Sequence, residues 1–290
     1  MYHLYIVITL KGETQMSGIL YVVGTPIGNL SDWSPRAKEI LQTVDFIAAE
    51  DTRVTLKLLN KFEIDTPMVS YHEHNHKLRS EQIVARLLSG ESCAIVTDAG
   101  MPAISDPGEE LVRLAHQNDI TVCSVPGPSA VITALAISGM PSGRFSFEGF
   151  LSTAKQSRYE HLEAVKNDTR TLIFYEAPHK LISTLKDMLV VFGNREIALC
   201  KELTKLHETV FRTTFEEAIN HFEQIAPKGE YVLIVSGKEQ SEEKEFTLEQ
   251  AITVAKEYMK SGESLSNAAK KTAKETGIKK SDIYKALLDE

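Results

Sequence analysis

Leu20-Tyr21-Val22-Val23 runs directly into Gly24-Thr25-Pro26-Ile27-Gly28-Asn29, and then into Ser34-Pro35 with apolar residues at Ala37, Ile40, Leu41 and Val44. A short apolar run, a glycine and proline turn, and an apolar set at offsets of three, four and seven read as strand, loop and helix. The pattern returns to about residue 237, with further apolar runs at 46–49, 94–97, 121–125, 171–175, 197–200 and 231–235. Strands alternating with helices predict α/β layers around a largely buried sheet.

Two more helix starts are sharp. Asp106 precedes Pro107 and stands three residues before Glu109, the pattern of a capping box, ahead of Leu111, Leu114 and Ala115. Another helix is expected from Pro126-Gly127-Pro128-Ser129 through Val131, Leu135 and Ala136, with Gly139 as its stop. The stretch Gly139-Met140-Pro141-Ser142-Gly143 reads as a linker, giving an N-terminal α/β domain over 16–139 and a C-terminal α/β domain over 140–240. After a polar, charged stretch the texture becomes purely helical, a tail module over 246–290 with starts at Thr247 and Ser264 and stops at Gly262 and Gly277. Residues 1–15 are expected to be an extension, because Met16 precedes a fresh apolar run.

A chain of 290 residues accommodates two domains and a small third. Its 42% hydrophobic and 25% charged content is that of a folded soluble protein. The net charge of −8, from 32 basic and 40 acidic side chains, excludes polyanion binding by overall charge, so a nucleic-acid partner must meet a local basic patch. Cys93, Cys123 and Cys200 form neither a CxxC site nor a disulfide framework, which fits a reducing cytoplasm. The run at 4–10 lacks a basic region before it and a cleavage site after it, and is too short to cross a bilayer.

In open α/β sheets ligands bind at the carboxyl ends of the strands. Here those ends are polar: the loop at Gly24 is joined by Glu50-Asp51-Thr52-Arg53, Asp98-Ala99-Gly100-Met101-Pro102, Pro126-Gly127-Pro128-Ser129, Tyr175-Glu176-Ala177-Pro178 and Lys201-Glu202-Leu203-Thr204. Any one of them is explained by the preference of turns for glycine and proline; six on one edge point to a site. Gly24 and Gly28 enclose proline rather than completing GxGxxG, and a Walker loop is absent, which disfavours hydride transfer and NTP hydrolysis. His72, His74 and His76 would share one side of a strand, yet lack a second ligand cluster, and a solvated polar loop explains them; no metal is expected.

Val-Gly-Thr-Pro-Ile-Gly-Asn-Leu from Val23, Ala-Glu-Asp-Thr-Arg from Ala49, Tyr-His-Glu-His-Asn from Tyr71 and Asp-Ala-Gly-Met-Pro-Ala-Ile-Ser-Asp-Pro-Gly from Asp98 carry a resemblance. Val-Pro-Gly-Pro-Ser-Ala from Val125, Phe-Tyr-Glu-Ala-Pro-His-Lys from Phe174 and Lys-Glu-Leu-Thr-Lys from Lys201 complete it in order and spacing. The chain resembles the ribosomal RNA small-subunit methyltransferase I family of the tetrapyrrole methylase superfamily. The resemblance implies a fold of two α/β domains with S-adenosylmethionine (SAM) in the cleft between them. It implies methyl transfer to the 2′-hydroxyl of a cytidine in the decoding centre of 16S rRNA, as naked rRNA or in the assembled small subunit, and a homodimer.

Carried over by motif, the cofactor contacts are Ile27, Asp98, Gly100, Met101, Ile104, Ser129, Ala130, Ala177, Leu203 and Thr204. Gly100-Met101-Pro102 stands where tetrapyrrole methylases usually show Gly-Asp-Pro, which sets the chain nearer the RNA branch than the corrin branch. Methyl transfer from a sulfonium is an in-line displacement governed largely by alignment, but a ribose hydroxyl needs its proton removed. Asp106, Glu176, Lys201 and Glu202 stand at the strand ends, and Glu202 and Asp106 are the leading catalytic candidates, although a capping role would also explain Asp106. Arg53, Lys57, Lys180 and Lys205 are the candidate RNA contacts, positioning phosphates without reading sequence.

From Phe246 onward eight lysines face seven acidic residues. Ala268, Ala269, Thr272 and Ala273, then Gly277-Ile278-Lys279-Lys280-Ser281, then Ile283 and Leu287, read as helix, turn and helix. Lys270, Lys271, Lys274, Lys279, Lys280 and Lys285 cluster about that turn. Such a module either grips rRNA or serves as a helical cap or dimerisation element. The rivals to an rRNA methyltransferase are a corrin or porphyrinogen methyltransferase on the same fold and a nucleic-acid-binding protein without catalysis.

Overall fold

A computed structural model of the chain describes residues 17–239 and 246–288. The expected extension at 1–15 lies outside the described residues. The chain forms two compact units, one running to Lys238 and the other starting at Glu239.

In the larger unit β1 (Ile19–Val23), β2 (Phe46–Ala49), β3 (Met68–Ser70), β4 (Cys93–Val96) and β5 (Thr121–Val125) form a parallel sheet in the order β3-β2-β4-β1-β5. Helices α1 (Pro35–Thr43), α2 (Thr52–Lys61), α3 (His76–Leu88) and α4 (Glu109–Gln117) connect its strands. Alternate strand residues enter two cores. Leu20, Phe46, Ala48 and Ile95 pack among Ile83, Leu87 and Leu111. Val23, Ile47, Ala94 and Val96 pack among Trp33, Leu41 and Leu59. Burial on both faces is why the central strands read as unbroken apolar runs.

A second sheet follows, with α5 (Ala130–Ser138), β6 (Phe145–Phe150), α6 (Lys155–Val165), β7 (Thr171–Glu176), α7 (Leu181–Phe192), β8 (Glu196–Lys201), β9 (Thr209–Thr214), α8 (Phe215–Gln224) and β10 (Tyr231–Val235). Its order is β6-β7-β10-β8-β9, with β6 parallel to β7 and every other pairing antiparallel. Leu172, Phe174, Leu199 and Leu233 meet residues of α6, α7 and α8 on one face. Val131, Ala134 and Leu135 of α5 meet Ile173, Ala198, Cys200 and Ile234 on the other. Thus α5, read from sequence as the last helix before the linker, packs on the second sheet, and the change of sheet comes before it.

The smaller unit is α9 (Leu248–Lys260), α10 (Leu265–Thr276) and α11 (Lys280–Leu288) around Ala251, Ala255, Ala269 and Ile283. Thr247 and Gln250 form the capping box of α9, Ser264 caps α10, and Gly277 ends α10 in the left-handed conformation. Ser34, at the expected start of α1, caps it, its side chain accepting from the Ala37 N–H at 3.1 Å.

The expected cap of α4 is not formed. The helix begins at Glu109, and its cap residue is Gly108, whose φ of +148° lets the chain turn where a Cβ would meet Ala103 at 3.0 Å. Asp106 therefore lies in the loop before the helix. Among the described residues no helix is long and apolar enough to cross a membrane.

Candidate active site

The loops after β1, β4 and β5 are stitched together by backbone bonds. Gly24 N–H donates to Val125 O at 3.1 Å, while Thr25 and Gly100 exchange N–H···O bonds of 2.9 and 3.2 Å. The buried Thr25 hydroxyl donates to Thr97 O at 3.1 Å, and Trp33 Nε1 donates to Gly24 O at 3.0 Å. At Gly24 a Cβ would lie 2.6 Å from Gly127 Cα, so the two backbones touch at a distance only glycine permits.

Facing these loops are the carboxyl ends of β7 and β8 and the amino end of β10. Between them lies a cleft of about 310 Å³. Ser129 and Ala130, at the start of α5, line it, and the Ser129 side chain makes no capping bond. The first turn of a nine-residue helix thus presents its N–H groups near the cleft wall.

Four carboxylates, Asp106, Glu176, Glu202 and Glu230, line the cleft against one ammonium, Lys205. Burial, reinforced by the nearby charge of Asp98, pushes the Asp106 carboxyl above the ordinary aspartate range. Glu202 goes the other way: the Glu230 N–H and the Lys205 ammonium, each 3.1 Å from Oε1, hold it low despite partial burial. Glu176 is 2% exposed and fully partnered, accepting from the Ala177 N–H at 2.8 Å, the Thr184 hydroxyl at 2.6 Å and Lys180 Nζ at 3.1 Å. Tyr175 is pushed up to about 12 by burial and by the charge of Asp106, so it stays a neutral hydroxyl.

Ile27, Gly100, Met101, Ile104, Ser129, Ala130, Ala177 and Leu203 come together on the cleft lining, with Glu202 and Asp106. Two of the expected cofactor contacts do not line it. Asp98 turns its carboxylate to the Asp51 N–H at 3.2 Å, and its own N–H goes to Glu50 Oε2 at 3.3 Å. Thr204 spends its hydroxyl oxygen on the Asn29 N–H at 3.1 Å.

The basic candidates divide. Lys205 lines the cleft, bridged to Glu202 and Glu230. Lys180 is anchored on the lining residue Glu176. Arg53 is exposed and paired with Asp51, the cap of its own helix, at 2.6 Å, and Lys57 is exposed on the same helix; neither lines the cleft.

His72 and His74 lie after β3 rather than on it, and His76 opens α3, so the shared strand face does not exist. Asn75 Oδ1 takes the His72 N–H at 2.9 Å, and His76 Nε2 pairs with Glu110 at 3.1 Å.

Phe150, Glu230 and Tyr231 also line the cleft, and the sequence reading does not single them out. Searching after each strand finds sites on parallel sheets, but β10 runs against β7 and β8, so its beginning reaches the cleft. The turn Pro227-Lys228-Gly229-Glu230 before it carries that signal.

The sequence profile of the Tetrapyrrole (Corrin/Porphyrin) Methylases matches residues 19–219. Relatives described as "Ribosomal RNA small subunit methyltransferase I" include one from Synechocystis sp., 45% identical over 94% of this chain and 98% of its own. Another, from Bacillus subtilis, is 43% identical over 95% of this chain and 96% of its own, and one from Thermotoga maritima is 49% identical over 77% and 100%. Among solved structures, the uroporphyrin-III-C-methyltransferase from Thermus thermophilus superposes with a TM-score of 0.54 at 18% identity, covering 76% of this chain and 94% of its own, a likeness of fold. With its profile match across both sheets and these relatives over nearly its whole length, the chain belongs to the tetrapyrrole methylases and, within them, to the ribosomal RNA small subunit methyltransferase I family.

Proposed function

We propose that this chain methylates 16S rRNA, transferring a methyl group from SAM to the 2′-hydroxyl of a cytidine in the decoding centre of the small ribosomal subunit. We take it to work as a homodimer in the cytoplasm. The observation that carries the reading is the half-buried carboxyl of Asp106, raised in pKa, on the wall of an acidic cleft between two α/β sheets. The relatives' names supply the class of substrate.

The lining fits the methyl donor. A sulfonium is cationic, and the lining stays acidic after Lys180 is matched to Glu176 and Lys205 is shared between Glu202 and Glu230, which favours it. Gly100, at φ +90°, brings backbone close to the cleft beside Ile27, and Ala177 and Leu203 offer apolar contact from the other sheet. When bound there, SAM supplies the electrophilic methyl group. Ile27, Gly100, Met101, Ser129, Ala130, Ala177 and Leu203 would hold it, with Ile104 at the more exposed edge.

Asp106 would take the proton of the ribose hydroxyl as its oxygen bonds to the methyl carbon and the carbon–sulfur bond breaks, with the neutral thioether S-adenosylhomocysteine as the leaving group. A carboxyl lifted toward the working pH is a stronger base than an ordinary aspartate. Glu202, held low, is the weaker base; its carboxylate fixes the loop that carries Leu203. Lys205 neutralises part of the carboxylate charge, and Lys180, held by Glu176 beside the cleft, adds a second cation on the side from which RNA would approach.

The test is incubation of labelled SAM with small subunits from a strain lacking the enzyme, followed by nuclease mapping. Label on a cytidine 2′-oxygen in the decoding region is the expected result. Label on a base, or none, rejects the proposal.

A further inference from the structure

β6 carries an irregularity where it pairs with β7. Phe145, Ser146 and Phe147 stand opposite Thr171, Leu172 and Ile173, whereas Gly149 and Phe150 stand opposite Phe174 and Tyr175, which leaves Glu148 as the extra residue of a bulge. Gly149 sits at φ +66°, a conformation that suits glycine. In unbroken alternation Phe150 would face away from Phe147. The extra residue reverses this, so Phe147, Phe150, Ile173 and Tyr175 share one face. Glu148 stays on the other face, bonded to Ser146 and to His161 of α6.

The consequence is an aromatic ring aimed at the cleft. Phe150 lines it and is 57% exposed. Its centroid lies 5.2 Å from that of Tyr175, which is braced edge-on by Phe147 at 5.0 Å. Lys180 Nζ stands 5.9 Å from the Phe150 ring, held in place by Glu176.

We propose that Phe150 is the stacking platform for an unpaired nucleobase of the RNA, aimed by the bulge at Gly149, with the Lys180 ammonium, held by Glu176, over its ring. The inference rests on the rRNA-methylation reading above. A ribose hydroxyl reaches Asp106 inside a cleft only when its nucleotide leaves the surrounding stack, and the lost stacking must be replaced by the protein. An exposed ring with its neighbours braced replaces it without reading base identity.

The experiment uses the full chain and its Phe150→Ala and Phe150→Trp variants. It measures methylation of unmodified small subunits at saturating SAM, SAM affinity by calorimetry, and mass by light scattering. Phe150→Ala is expected to lower kcat/KM for subunits roughly 5- to 100-fold, chiefly through KM, with SAM affinity and mass unchanged; Phe150→Trp is expected to retain activity. Wild-type kcat/KM in Phe150→Ala overturns the platform. A parallel loss of SAM affinity overturns it by assigning the ring to the donor pocket, and a changed mass by assigning it to an interface between copies. A wild-type protein that labels no rRNA overturns the functional reading itself, and the platform with it.

Discussion

The backbone N–H of Asn29 donates to the hydroxyl oxygen of Thr204 at 3.1 Å, joining the loop after β1 to the loop after β8. The approach is close enough that a Cβ on Gly28 would lie 2.6 Å from Lys205 Cγ and 2.7 Å from Thr204 Oγ1. Thr204 sits at φ +62° and Glu202 at φ +51°, conformations costly for side chains, above all a β-branched one. Bonds on every side maintain them: Thr204 N–H to Glu208 at 2.6 Å, Glu202 N–H to Glu230 O at 3.2 Å, and Lys205 N–H to Glu202 O at 3.0 Å. The strained segment presents Leu203 to the cleft between its two anchored neighbours.

Thr204→Val keeps the shape of the side chain and removes the acceptor. Losing this bond should cost about 1 kcal/mol of stability, a melting temperature lowered by about 2–4 °C, and SAM affinity should weaken as well, because the loop that presents Leu203 is no longer held in the shape of the cleft. Calorimetry and thermal denaturation report the two separately. Unchanged SAM affinity would show that the strap does not shape the cleft.

Gly24→Ala tests the closest backbone approach in the site. The new Cβ would meet Gly127 Cα at 2.6 Å and Gly127 N at 2.9 Å, and backbone held by the Gly24–Val125 bond cannot move away as the nearby Met101 side chain can. Destabilisation of about 1–3 kcal/mol in urea unfolding, with SAM binding weakened, is the expected result. Gly143→Ala, where a Cβ meets nothing within 4 Å, is the control and should stay within about 0.5 kcal/mol of wild type.

The strands legible in the sequence are mostly those buried on both faces. β3, β6 and β9, three of the four sheet edges, escape because β3 has only three residues and Phe-Ser-Phe-Glu-Gly-Phe and Thr-Val-Phe-Arg-Thr-Thr mix polar and apolar side chains. The alternation predicts layers, but it carries no sign of strand direction, so the antiparallel second sheet is not legible. That one omission hides Glu230 and Tyr231. Cleft residues such as Gly100, Ser129 and Leu203 are legible because their strands or helices point at the site. Asp98 and Thr204 turn elsewhere because a motif fixes a position in the chain while the hydrogen bonds of neighbouring loops fix where the side chain goes. Asp106 reads as a cap because spacing alone cannot show that Gly108 bends the chain before the helix begins.

Asp106→Asn separates chemistry from stability. As the base, Asp106 acts when deprotonated, so wild-type kcat/KM should rise with pH through its raised pKa, and the variant should lose about a hundredfold or more. The stability effect has the opposite sign. A carboxyl whose folded pKa lies above its unfolded value favours the fold below the unfolded value and loses that contribution as pH rises through the folded one. At pH 7–8 the neutral amide avoids this loss, so Asp106→Asn should melt at or above the wild-type temperature, and the difference should close on acidification. An inactive variant that melts well below wild type would assign Asp106 to the fold instead.

Glu202→Gln reverses that pattern. The amide still offers an oxygen to the Glu230 N–H but loses the charge facing Lys205. Because its folded pKa is lowered, Glu202 contributes stability above its unfolded value and loses it as pH falls through the folded one. The variant should therefore melt a little below wild type at pH 7 and match it in strong acid. Turnover should fall further, by about tenfold or more, as Leu203 shifts in the cleft. With Asp106 as the proposed base, the rise of kcat/KM with pH should keep its wild-type midpoint in this variant; a lost or displaced midpoint would make Glu202 the base.

The helical unit around Gly277 supplies the test of how an acidic protein holds RNA. Lys270, Lys274, Lys279 and Lys285 are exposed on or between α10 and α11, whereas Lys271 is ion-paired with Glu263 and Lys280 donates to Ser266 at 3.1 Å. Replacing the first four with alanine leaves Ala251, Ala255, Ala269 and Ile283, the core of the unit, untouched. Each lysine that neutralises a phosphate releases counterions, so binding to small subunits should weaken, and the slope of log affinity against log salt should flatten by about 0.7–0.9 for each phosphate no longer neutralised. SAM affinity should not change, and removal of residues 246–290 should act in the same direction more strongly. An unaltered salt slope would assign the unit to capping or self-association, and loss of SAM binding on its removal would make it part of the fold that carries the site.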